Sequence, residues 1–118
     1  MMSMASKSQI NGNMDIGGAT SRSAPQIFEY SMVMGIIKVF IVKTEVKTAL
    51  ITFDNQVYAH INLTCAYDFA GELLKKASAK WERQDASHYP NPFKTLRQDK
   101  QAFEKLQQIL AQIYFSGE

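Results

Sequence analysis

A single cysteine, Cys65, among 118 residues rules out a disulfide within the chain, and with it the disulfide-stapled class of small secreted folds. A reducing compartment is the corresponding expectation. No apolar run approaches the roughly 18 residues of a membrane-spanning helix, and the best stretch, Met32 to Val42, is interrupted by Gly35 and Lys38. The first residues lack the contiguous apolar core of a secretory signal, and their poverty in arginine argues against a transit peptide. These features predict a soluble, cytoplasmic protein.

Chemical signatures are equally sparse. Neither GxxxxGK(S/T) nor GxGxxG occurs, so no loop pattern for cradling nucleotide phosphates is present. His60, Cys65 and His88 show neither paired-cysteine nor HExxH spacing, and the sequence predicts no metal and no cofactor. Charge of one sign is also in short supply: thirteen Lys and Arg against eleven Asp and Glu leave a formal charge of +2, spread through the chain. Strong nonspecific polyanion binding needs denser local charge than this.

What the chain does have is a change of hydrophobic period. Residues 1–25 carry Ser, Gly, Asn and isolated Met and Ile at no fixed spacing and read as a flexible tail. Residues 26–118 read as a single domain, too short to bury both a core and a large internal cavity. Within it, Met32–Val42, Val46–Phe53 and Gln56–Leu63 alternate apolar and polar residues as β-strands do. The links Lys43-Thr44-Glu45 and Asp54-Asn55 are of hairpin length, so neighbouring strands should run antiparallel.

Alternation sorts the side chains onto two faces. One collects Ile37, Val39, Ile41, Ala49, Ile51, Phe53, Val57, Ala59, Ile61 and Leu63 and is wholly apolar. The other collects Lys38, Phe40, Val42, Thr48, Leu50, Thr52, Tyr58, His60 and Asn62. After Thr64, a possible cap, Ala66, Ala70, Leu73, Leu74, Ala77 and Trp81 recur at helical spacing to near Arg83. A proline-bounded loop follows, and a last helix runs to about Phe115 on the stripe Leu96, Phe103, Leu106, Leu110 and Ile113. Two starts compete for that helix: Asn91-Pro92 as cap and first position, and Thr95 with Gln98 as a capping box. The expected fold is α+β, a three-stranded antiparallel meander followed by two amphipathic helices on one sheet face.

Because two helices need cover only the apolar face, the mixed face is the natural candidate site. Lys38, Phe40, Leu50, Tyr58 and His60 combine aromatic and apolar anchors with a polar surround, the composition of a protein-binding surface. The corresponding function is a small non-enzymatic accessory or inhibitory factor, docking on a larger protein or forming a homodimer. Burial of that face by the tail, by residues 26–30 or by the Tyr89 loop is the competing expectation.

Two further functions compete with it. In a nucleic-acid-binding domain the sheet aromatics would stack bases, with Lys38, Lys47 or the helix cations Lys76, Lys80 and Arg83 on phosphates. Against it stand the absence of an aromatic RNP motif and an order that places all strands before the helices. A cysteine-dependent enzyme would need Cys65 with His60 as base and Asp68 as orienting carboxylate. A lone cysteine at a strand-to-helix junction is more commonly a small buried hydrophobe.

Overall fold

The computed structural model describes residues 25–64, 68–84 and 90–116. The expected tail, Cys65 and His88 lie outside these residues. Four strands come first, β1 (Gln26–Met32), β2 (Gly35–Lys43), β3 (Lys47–Phe53) and β4 (Gln56–Asn62). Three helices follow, α1 (Phe69–Gln84), α2 (Pro92–Gln98) and α3 (Lys100–Phe115). The sheet is an antiparallel meander in the order β1-β2-β3-β4. The expected meander with helices on one sheet face is therefore present, with one strand and one helix more than the sequence pattern suggested.

The additional strand arises because Met32–Val42 is not continuous. Val33 and Met34 form a two-residue turn between Met32 and its partner Gly35, and β1 precedes it. A Cβ on Gly35 would lie 2.5 Å from the Phe53 ring and 2.7 Å from Asp54 Oδ1, so the strand start packs too closely for any side chain. The Asp54-Asn55 turn is as expected, with φ of 51° and 69°, the left-handed geometry that short Asx residues tolerate in a tight hairpin.

Helix ends follow side-chain chemistry. Asp68, not Thr64, supplies the start of α1: its Oδ1 accepts from the Gly71 N–H at 3.2 Å. Asn91 caps α2 with Pro92 following, while the Thr95 hydroxyl donates back to Asn91 O instead of capping a later start. Asp99 then interrupts the expected last helix. Its backbone is extended, its N–H closes α2 on Leu96 O, and its side chain accepts from Ala102 N to begin α3.

The core lies between the sheet and the helices, with α1 over β3 and β4 and α3 against β1. Ile37, Val39, Ala49, Ile51, Leu73, Ala77, Phe93, Leu96, Leu106 and Leu110 are fully buried there. Tyr30 on β1 ties the sheet to the α2–α3 junction through a 2.8 Å hydrogen bond to Asp99 Oδ2. Burial first, and then the Asp99 carboxylate, push the Tyr30 hydroxyl above its ordinary value. A tyrosine favoured in its neutral form stabilises the fold below about pH 10 and loses that contribution as pH rises through its folded value. Urea titrations from pH 8 upward should show this alkaline loss in the parent chain, a smaller one in Tyr30→Phe, and a cost of about 0.5–1.5 kcal/mol for that variant at neutral pH.

Candidate functional site

Strand register decides which sequence-predicted residues meet. On the face turned away from the helices, Phe40 pairs with Leu50 and Leu50 with His60, so the three form one row across β2, β3 and β4. Lys38 stands in the adjacent row, opposite Thr52 on β3 and Glu29 on β1. His60 is exposed, Lys38 and Leu50 are half-buried, and Phe40 is buried at 6% exposure. Four of the five expected residues thus share one face, although its aromatic member is largely covered.

Tyr58 does not belong to this group. Between Ile51↔Ala59 and Thr52↔Val57 the pairing skips Tyr58, which is the extra residue of a β-bulge. The insertion exchanges the faces expected for residues 57 and 58: Val57, opposite Thr52, is on the outer face, and Tyr58 turns toward the helices. There it is 5% exposed and packs on Trp81 and Phe93, with ring centroids 5.8 and 5.2 Å away. The sheet aromatics therefore do not form an exposed pair.

The helix cations are also distributed differently from the expected basic stripe. Lys80 Nζ donates to Val57 O at 2.9 Å and lies 5.6 Å from the centroid of the Tyr58 ring, so it clasps the outer edge of β4. Lys76 is exposed and 3.9 Å from Glu72, a surface pair of little energetic weight, and Arg83 is exposed. Asp68, the proposed orienting carboxylate, accepts from Gly71 N and, at 2.7 Å, from Gln107 Nε2. Its hydrogen bonds are those of a helix cap joined to α3.

Comparisons with protein-family models, curated proteins and solved structures find no match. Among the described residues no group of three or more His, Cys, Asp or Glu converges as metal ligands would. No described helix is long and apolar enough to cross a membrane.

One residue of the outer face is more deeply buried than its place in the strand pattern suggests. Thr52 is 1% exposed and its Oγ1 has no hydrogen-bond partner among the described residues. A buried hydroxyl without a partner costs on the order of 1–3 kcal/mol, and this one stands on the strand next to Lys38. Strand alternation placed Thr52 on this face. Its burial depends on the neighbouring strands and could not be read from spacing.

Proposed function

We propose that the chain is a non-enzymatic binding protein that engages a larger protein, or a second copy of itself, through the outer face of its sheet. The observation that supports this reading most directly is the continuous row Phe40–Leu50–His60, which grades from buried aromatic through half-buried aliphatic to exposed polar. Such a gradient resembles an interface with an apolar centre and a polar rim.

Leu50 is the residue to test, because it is half-buried on this face and stands outside the helix-facing core. Leu50→Lys with His60→Glu should leave the melting temperature within a few degrees of the parent. It should also abolish site-specific crosslinking to a partner from a photoreactive residue placed at Asn62. Equal crosslinking in the parent and the folded double variant would overturn the proposal.

A nucleic-acid function has weaker support. Tyr58 packs inside the fold and Lys80 is held by β4, which removes one stacking ring and one phosphate contact from that scheme.

A further inference from the structure

The two edges of the sheet are finished differently. At β4 the outward carbonyl of Val57 accepts from Lys80 Nζ. At β1 no strand or side chain among the described residues pairs with the outer edge, which opens on a groove of about 570 Å³ lined by residues including Phe28, Tyr30, Asp99, Ala102 and Lys105. A bare edge strand is a template for another strand.

Which groups point outward follows from hydrogen-bond parity. Ile36 accepts from Asp54 N and donates to Asp54 Oδ1, so its main chain faces β3. Successive residues of an antiparallel strand alternate in the side to which their N–H and C=O point. Ile37 therefore faces β1, its partner Tyr30 faces β2, and Glu29 and Ser31 present their N–H and C=O groups to the outer edge, away from β2.

From this edge we infer that β1 pairs antiparallel with β1 of a second copy, joining two sheets across a two-fold axis through Tyr30. Side-chain pairing supports a second copy as the occupant and favours a Tyr30-centred register over a Glu29-centred one. Centring on Glu29 would set two carboxylates face to face. Centring on Tyr30 sets Glu29 opposite Ser31 of the second copy, Phe28 opposite Met32 and Tyr30 opposite Tyr30, with both outward-facing residues forming hydrogen-bonded pairs. Phe28, Tyr30 and Met32 all lie on the helix side of the sheet, where the pairing continues each core into the other. This interface is separate from the outer face and stands or falls without it.

The test is sedimentation equilibrium on the full chain and three variants at Ser31, with melting curves to confirm folding. The parent should be a concentration-dependent dimer. Ser31→Pro removes an N–H that points away from β2, a position where an edge strand tolerates proline, and should give a folded monomer. Ser31→Glu should weaken the dimer roughly 3- to 30-fold, and Ser31→Lys, facing Glu29 of the second copy, should tighten it. These two variants keep the register testable if the proline variant fails to fold. Leu50→Lys should leave this dimer intact, which separates it from association through the outer face. A monomer at millimolar concentration, or a dimer on which Glu and Lys at position 31 act alike, would overturn the inference.

Discussion

Trp81→Ala is expected to lower the stability of the domain by about 3–5 kcal/mol, a large share of the roughly 5–15 kcal/mol that holds a typical domain together. Trp81 is 1% exposed and is the α1 member of a cluster of four rings, the others coming from three different elements. Its ring meets Phe53 of β3 edge-on at 5.6 Å, Tyr58 of β4 at 5.8 Å and Phe93 of α2 at 6.5 Å. Truncation would remove apolar contact from all three at once and leave a void that the surrounding backbone, held by sheet pairing and two helices, closes only in part. Trp81→Phe keeps an aromatic in place and should cost less. Denaturant unfolding of both variants measures the difference, and a loss below about 1.5 kcal/mol for Trp81→Ala would contradict the packing described.

Asn91→Ala should cost about 2–3 kcal/mol, more than an ordinary exposed cap, because this side chain uses both ends. Its Oδ1 accepts from Phe93 N at 3.0 Å and Lys94 N at 3.4 Å, satisfying the first free donors of α2. Its Nδ2 donates to Ser78 Oγ at 2.9 Å and Glu82 Oε2 at 3.0 Å on α1. Asn91 is thus at once a helix cap and the bond between α2 and α1, buried at 8% exposure. Asn91→Asp separates the roles. The aspartate keeps the cap acceptor but turns an acceptor toward Glu82, so the loss at neutral pH should equal or exceed that of alanine and shrink on acidification, when protonation of either carboxyl restores a donor. Equal stability of Asn91→Asp and the parent at neutral pH would show that the α1 bond carries no weight.

Legibility differed between elements for identifiable reasons. Alternation from Ile36 to Phe53 was a dependable guide, because β2 and β3 pair without interruption from Ile37↔Phe53 to Lys43↔Lys47. The same rule failed at β4, where one extra residue exchanges the faces of Val57 and Tyr58. A bulge leaves no mark on the composition of its own strand; it exists only relative to the partner. For the same reason four members of the candidate face, Lys38, Phe40, Leu50 and His60, were placed correctly and the fifth was not. The burial of Phe40 and Thr52 was also invisible, since exposure depends on neighbours in three dimensions.

The sequence by itself determined the fold class, the Asp54-Asn55 hairpin and the buried stripe of α1, all of which rest on short-range patterns, and it narrowed the next helix start to two candidates. Tertiary structure alone decided that β1 pairs as a separate strand, that Asp99 breaks the last helical stretch and that Tyr58 turns inward. Two of these involve partners distant in the chain: Asp99 meets Tyr30 across 69 positions, and Tyr58 meets the helices through a register that β3 imposes. Local spacing records which residues prefer burial, while strand register and helix docking decide where that burial is found.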